Sequence, residues 1–272
     1  MRADSDYQLS DRAAETYEAK KVPAIFAPLA EQTLDAVALP EGARVLDIAC
    51  GTGVVSRAVG ARLTRPSPIT GLDLNAGMLL IAAREGVPPP HEGRWAEAPV
   101  DAMPFEAGSF DLAFCQQGIQ FFPETAGALA EMRRVLAPGG RLVLTVWAGV
   151  PPLFDAIAEA LLPVLGAEAA RTARAPFTFI ADDGTALARL VAEAGFAAPR
   201  RAVLRPTRRL DATPEALVPE ILASPNEPLL SAAGPAAIAA LSEAVHEALQ
   251  PFRAGEALVL PQEALLLEAR CA

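Results

Sequence analysis

Two acids and two glycines stand where charge and bare backbone together could hold a small molecule. Asp47 lies inside the apolar run RVLDIA (44–49), and Gly51 and Gly53 follow one residue apart in VLDIACGTGVV (45–55). Asp73 falls near the end of a second apolar run, ITGLDL (69–74). Without Cβ atoms, a glycine loop can approach a ligand closely and offer it N–H groups. An acid upstream of the glycines suits an ammonium, directly or through water, and an acid ending the next strand suits a pair of ribose hydroxyls. Two ligands compete for such a site: a dinucleotide, and a nucleoside carrying an ammonium and a carboxylate. The dinucleotide fingerprint G-x-G-x-x-G needs a third glycine where this chain has Ser56, so that match is incomplete. Asp73 suits either ligand and does not discriminate.

The elements that must position these residues alternate. RVLDIA, ITGLDL, the short GRWAEA (93–98), FDLAFCQ (110–116) and RLVLTVW (141–147) read as strands. Between them, 54–63, Asn75 to about Arg84, and 124–136 read as helices, with Asn75 as an N-cap and Leu129, Met132, Val135 and Leu136 on one face. Pro138-Gly139-Gly140 reads as a turn. Such alternation means a parallel sheet covered on both faces. Residues 10–38 read as helix interrupted near Pro23 and Pro28, and 153–172, 184–195 and 213–250 as helix. RRAVLRP (200–206) reads as a strand, and ALVLPQEALLLEAR (257–270) as one long terminal strand bent at Pro261. The expected organisation is an N-terminal helical lid (1–40), a core (41–149), a helical insertion (150–182), a core helix and strand (183–210), a helical cap (211–255) and the terminal strand (256–272).

The chain has 272 residues, 52% of them hydrophobic, which suits one large domain or a domain with an added lobe. A formal net charge of -10 repels nucleic acid and anionic membrane, so small-molecule partners are expected. The three cysteines, Cys50, Cys115 and Cys271, have no metal spacing and no even disulfide framework. With a polar, acidic N-terminus and no uncharged apolar run of the ~20 residues a membrane span needs, the expectation is a reduced cytoplasmic chain without metal or membrane insertion.

VLDIACGTG (45–53), GLDLNAGML (71–79), MPFEAGSFDLAFCQQGIQFFPE (103–124) and EMRRVLAPGGRLVLTVW (131–147) resemble the class I S-adenosylmethionine-dependent methyltransferases. The similarity is to a bacterial small-molecule subgroup related to the ubiquinone/menaquinone methylases, and YEAKKVPAIFAPLA (17–30) and LVAEAGF (190–196) share it. The resemblance implies an α/β, Rossmann-like seven-stranded sheet in the order 3-2-1-4-5-7-6, with the last strand antiparallel and helical insertions forming a cap. It also implies S-adenosylmethionine as cofactor and a small organic methyl acceptor from specialised or quinone-like metabolism. Gly51 and Gly53 would line its methionine part, Asp47 would position its ammonium and Asp73 would bind ribose, with Leu74 and Met78 near the adenine. Ala49 stands at the motif's first glycine. Pro99 and Val100 replace the acid-Ala pair that usually meets the adenine, leaving Asp101, Glu97 or a backbone carbonyl for that contact. Cys115, itself a small buried hydrophobe, borders the set.

For catalysis, Gln117, Gln120 and Tyr17 are the candidates. CQQGIQFF leaves the fourth strand at the sheet's carboxyl edge, and glutamines donate and accept without taking a proton. Tyr17 resembles the family's lid tyrosine; packing of an amphipathic helix is its other reading. Phe121 and Phe122 would either wall the acceptor or pack under the next helix. The expected acceptor pocket lies between Tyr17, 115–122, Trp147 and the inserted helices. His91 and His246 read as surface residues. Arg200, Arg201, Arg205, Arg208 and Arg209 read as a solvated strand edge, with an anionic acceptor site as the alternative. An NAD(P) oxidoreductase, a methyltransferase-fold protein that cyclises or decarboxylates, and a non-catalytic cofactor binder stay open, as does a homodimer.

Overall fold

The computed structural model describes residues 11–180, 182–222 and 226–271. The chain forms two compact units. The first contains Met1–Val146, Gly184–Leu204 and Leu265–Ala272, and the second contains Trp147–Asp183 and Arg205–Ala264.

The first unit opens with helix α1 (Asp11–Thr16), a π-helical segment (Tyr17–Phe26) and α2 (Ala27–Ala36). The stretch stays helical, but its winding changes near both prolines. Pro23 sits inside the π segment, and Pro28 falls in the first turn of α2, where its missing N–H has no helical partner to lose.

Then come β1 (Val45–Ile48), α3 (Val54–Arg62), β2 (Pro68–Asp73), α4 (Ala76–Glu85), β3 (Glu92–Glu97), β4 (Phe110–Gln116), α5 (Thr125–Val135) and β5 (Leu136–Trp147). All four residues of β1 are buried, as a central parallel strand covered on both faces requires. Asn75 caps α4 through its side chain, which accepts from the Met78 N–H at 3.1 Å. Pro138-Gly139-Gly140 does not end the ladder. It lies inside β5 as an irregularity: Phe110 pairs with Leu136, but Leu112 pairs with Arg141.

The second unit begins with α6 (Pro152–Arg174), whose Gly166 has non-helical backbone at φ 82° and divides it into two stretches. The chain returns to the first unit for α7 (Thr185–Glu193) and β6 (Arg200–Leu204). It then supplies the second unit with β7 (Thr207–Asp211), α8 (Pro214–Leu222), α9 (Glu227–Ala233), α10 (Pro235–Ala248), β8 (Arg253–Ala254) and β9 (Ala257–Pro261). Strand β10 (Ala264–Arg270) closes the first unit's sheet.

That sheet runs β3-β2-β1-β4-β5-β10-β6, which is the expected order 3-2-1-4-5-7-6, with its last strands antiparallel. The run 257–270 is two strands in two sheets, not one bent strand. Pro261 has no N–H for a ladder, and after Gln262 and Glu263 the chain enters the seven-stranded sheet as β10. A three-stranded antiparallel sheet, β7-β9-β8, was not anticipated. Its inner face, with Leu258 and Leu260, joins Leu153, Ile157, Leu161, Leu217, Ile221 and Val245 in a separate core.

Arg208 on β7 overturns the solvated-edge reading at its own position. It is 1% exposed and paired with Glu220 of α8, Nη2 to Oε1 at 2.5 Å. A charge leaves water only with such a partner. Arg200 pairs with Glu268 at 2.8 Å and Arg205 with Glu263 at 2.9 Å, both partly in solvent.

Among the described residues no single helix is long and apolar enough to cross a membrane; α9 and α10 reach that length only together and are bent by 115°. No cluster of metal-ligating side chains occurs among them either. All three cysteines are free and buried.

Candidate active site

The carboxyl ends of β1, β2 and β4 bring most of the sequence candidates together. Asp47 pairs across the sheet with Gly71 on one side and Phe114 on the other. After β1 the backbone turns sharply: Ala49, Gly51 and Gly53 have φ of 53°, 54° and 82°. Only glycine adopts such values without strain, so Ala49 carries a conformational cost of about 1–2 kcal/mol. Gln117, at the end of β4, has φ 57°. Ala49 and Gln117 are the two non-glycine residues with positive φ among those described.

Asp73 fastens the turn. Its Oδ2 accepts the Gly51 N–H at 2.8 Å and its Oδ1 accepts the Asn75 N–H at 2.9 Å. Burial raises its pKa, and these amides pull it partly back. The Leu74 amide also bonds this carboxylate, which is partly exposed at the end of β2 and keeps acceptor capacity for a further donor. Asp47 is 1% exposed and faces the other way in its bonding: Oδ2 takes both the amide (3.0 Å) and hydroxyl (2.7 Å) of Ser56. Burial pushes its pKa up to about 7, opposed by the Ser56 bonds and assisted by the charge of Asp73.

Tyr17 lies over the turn. A Cβ built on Gly51 would meet its ring, 3.9 Å from Cε1 and 4.0 Å from Oη. The ring stacks on Phe26 at 5.1 Å between centroids and packs against Ala14, Met78 and Ile81. Burial, then the charge of Asp73, raises the phenol's pKa, so it stays neutral. Its neighbour Glu18 pairs with Arg57 at 2.7 Å, and the same guanidinium donates to the Thr52 carbonyl at 2.5 Å. The π segment is thereby tied to the glycine turn twice.

Beside the turn, Gln117 donates its backbone N–H to Thr145 at 2.9 Å, while both ends of its side-chain amide are buried without a protein partner. Gln116 reaches the Phe26 carbonyl through Nε2 at 3.1 Å, leaving its Oε1 buried and unpartnered. Thr52 Oγ1, Gln120 Oε1 and Thr145 Oγ1 are in the same condition. Buried polar groups of this kind need a partner. Cys115 is wholly buried, and burial pushes its thiol up to about 12. Met78 is buried, Leu74 is 43% exposed, and Pro99 and Val100 are half-buried around a short 3-10 turn beyond β3. Phe121 is exposed and Phe122 half-buried; Trp147 belongs to the second unit.

The histidines are not the surface residues expected. His91 is half-buried, accepting the Ser67 N–H on Nδ1 at 3.2 Å and lying 3.0 Å through Nε2 from the Leu63 carbonyl. His246 is also half-buried, Nε2 3.2 Å from the Ala212 carbonyl. Both rings have structural partners. Trp95 is the residue the sequence reading missed. Its ring edge fills the space that a side chain on Gly53 or Gly71 would need, 2.8 Å and 2.5 Å from the built Cβ atoms. The only signal in sequence is an aromatic on a short strand; the pairing Gly71 to Trp95 is a matter of register.

A family model described as a methyltransferase domain matches residues 46–144. The chain is 32% identical over 178 residues to the ubiquinone/menaquinone biosynthesis C-methyltransferase UbiE of Laribacter hongkongensis, covering 60% of this chain and 71% of that protein. It is 41% identical over 107 residues to the UbiE of Geobacter sulfurreducens, covering 38% and 41% of the two chains. Among solved structures, it resembles Haemonchus contortus phosphoethanolamine N-methyltransferase 2 in complex with S-adenosyl-L-methionine. The TM-score is 0.59 at 20% identity, over 98% of this chain and 58% of that one. An S-adenosylmethionine-dependent methyltransferase from Aquifex aeolicus gives a TM-score of 0.55 at 13% identity, over 97% of this chain and 100% of that one. The chain belongs to the class I S-adenosylmethionine-dependent methyltransferases, the family whose cofactor is S-adenosylmethionine, and is related to the quinone methylases. It spans about half the length of the curated relatives it matches, 41%, 47% and 48% for three of them.

The residues present fit that cofactor. Asp73 keeps acceptor capacity at the end of β2, a Cβ on Gly51 would meet nothing nearer than 3.9 Å, and Thr52 and Gln117 offer buried polar atoms with no protein partner.

Proposed function

We propose that the chain transfers a methyl group from S-adenosylmethionine to a small organic acceptor with quinol-like ring chemistry. The observation that carries this reading is Asp73, held by the Gly51 and Asn75 amides at the end of β2 and partly exposed, with acceptor capacity left for ribose. In this reading Asp73 binds ribose, Gly51 and Gly53 line the methionine part, and Asp47, Ala49 and Cys115 form the floor of the turn. Leu74 and Met78, with Pro99 and Val100, border the adenine.

The sulfonium supplies an activated methyl carbon, and the transfer is an in-line displacement. The protein's task is then alignment, which in well-oriented reactants gains about 7–11 kcal/mol. Tyr17 covers the turn and excludes water. Gln117 and Gln120 orient the acceptor by donating and accepting, without removing a proton. The phenol of Tyr17 and the thiol of Cys115, both pushed upward by burial, stay protonated at neutral pH and serve as no base. The acceptor therefore arrives already nucleophilic, as an ionised or electron-rich ring does.

The names of the quinone C-methyltransferases it resembles support the acceptor class. The test is methyl transfer from labelled S-adenosylmethionine to a panel of hydroquinones, with calorimetry of S-adenosylhomocysteine. A Gln117→Ala, Tyr17→Phe double variant should lose at least tenfold in kcat/KM. Wild-type turnover in that variant would overturn the assignment of the acceptor-facing residues, and absence of S-adenosylhomocysteine binding would overturn the reading as a whole.

A further inference from the structure

The second unit holds polar groups that its own fold leaves unanswered. Gln262 is 3% exposed, and both its Oε1 and Nε2 are buried without a hydrogen-bond partner. Arg208 is 1% exposed, and its Nε is in the same state. The two stand on one face of the small sheet. Arg208 pairs with Leu260, and the Gln262 N–H still donates to the Pro206 carbonyl at 3.1 Å, so pairing continues past Pro261. Gln262, two residues beyond Leu260, is thus a diagonal neighbour of Arg208.

One aromatic ring flanks the guanidinium, and two more lie behind it. Arg208 Cζ lies 5.8 Å from the Phe154 ring centroid, in the range of a cation–π contact. Phe154 is 4.3 Å from Phe177, and Phe177 is 6.1 Å from Trp147. Phe154 is half-buried, so the cluster reaches the surface at that residue.

The charge of this cluster selects the ligand class. Glu220, 2.5 Å from Arg208, already balances the guanidinium. An anion would meet that carboxylate and a cation would meet the arginine, so a neutral ligand is favoured. Two N–H donors and one amide oxygen ask for a group that both accepts and donates. A hydroxyl on an aromatic ring does both and stays uncharged.

We propose that Arg208 and Gln262, with the Phe154 ring beside the guanidinium, form a binding subsite in the second unit for a neutral planar ring bearing a hydroxyl oxygen. The inference concerns that unit by itself and stands without the methyl-transfer reading.

Equilibrium dialysis of the full chain against three probes with one ring system tests it: 2-naphthol, naphthalene and 2-naphthoate. 2-Naphthol should bind at least tenfold more tightly than either of the others. Gln262→Met should weaken 2-naphthol about tenfold, leave naphthalene unchanged and raise Tm, because it removes two unpartnered polar atoms. A merely structural glutamine would not move affinity and stability in opposite directions. Equal binding of 2-naphthol and naphthalene, tighter binding of 2-naphthoate, or no binding of 2-naphthol would overturn the proposal. So would unchanged 2-naphthol affinity in Gln262→Met, the result expected if buried water alone satisfies the amide. If that variant fails to fold, the ranking of the three probes on the wild-type chain decides.

Discussion

Asp47 and Ser56, nine residues apart, are joined across the glycine turn: one carboxylate oxygen accepts both the serine amide, at 3.0 Å, and its hydroxyl, at 2.7 Å. Ser56 occupies the position where a dinucleotide fingerprint has its third glycine. The residue that spoils the dinucleotide match is thus the one that holds the acid in place.

The pH dependence of stability should report this acid. Burial raises the pKa of Asp47 from 3.8 to about 7, so the folded protein holds its proton more tightly than the unfolded chain. That contribution is fully present below about pH 4 and is lost as the pH rises through about 7. Urea unfolding should show wild type losing on the order of 4 kcal/mol across that window relative to Asp47→Asn. Parallel curves for the two proteins would remove Asp47 as the cause.

Cofactor binding should be linked to the same proton. A ligand ammonium near Asp47 favours its ionised form, so S-adenosylhomocysteine should release a proton on binding below about pH 7 and bind more tightly as that pH is approached. Calorimetry in two buffers of different ionisation enthalpy counts the proton. Asp47→Asn should bind with none released, and an identical count in both proteins would place the ammonium elsewhere.

Trp95 and Gly71 should behave as an interlocked pair. A Cβ on Gly71 would lie 2.5 Å from the Trp95 ring and 2.8 Å from Cys50 Sγ, so Gly71→Ala should cost about 1–3 kcal/mol by overpacking. Trp95→Leu in the same chain should return part of that loss, and a double-mutant cycle measures the coupling. Additive effects would show that the cost lies in the backbone.

The proposed lid can be tested with a protease. Lys20 and Lys21 are the only two lysines in the chain, and both lie in the π segment. A lysine-specific endoproteinase therefore cuts only there. Breaking the Glu18–Arg57 pair by Arg57→Ala should speed cleavage several-fold, and S-adenosylhomocysteine should slow cleavage of wild type. Cleavage indifferent to both would mean that the segment does not close over the turn.

The parallel sheet and the residues at its carboxyl edge were legible because those features are written locally, whereas the strand order came from the family resemblance. A buried strand is a short apolar run, the turn needs its glycines, and Asn75 caps α4 within its first turn. What stayed hidden depends on pairing across the chain. Trp95 acquires its role only from lying opposite Gly71. Arg208 looks like a solvated arginine until Glu220, on the next helix, is brought to it. The apolar run 257–270 has the pattern of one strand, and Pro261 alone does not say that its halves join different sheets. The π winding at 17–26 has no periodicity of its own to betray it, only a proline where an α-helix would lose a bond.

Trp95 lies in the first unit and Trp147 in the second, and the chain has two tryptophans in all. Each unit thus carries its own intrinsic fluorophore. Replacing either with phenylalanine leaves a chain whose emission follows one unit alone, so whether the two melt as one cooperative block or in sequence can be watched without any added label.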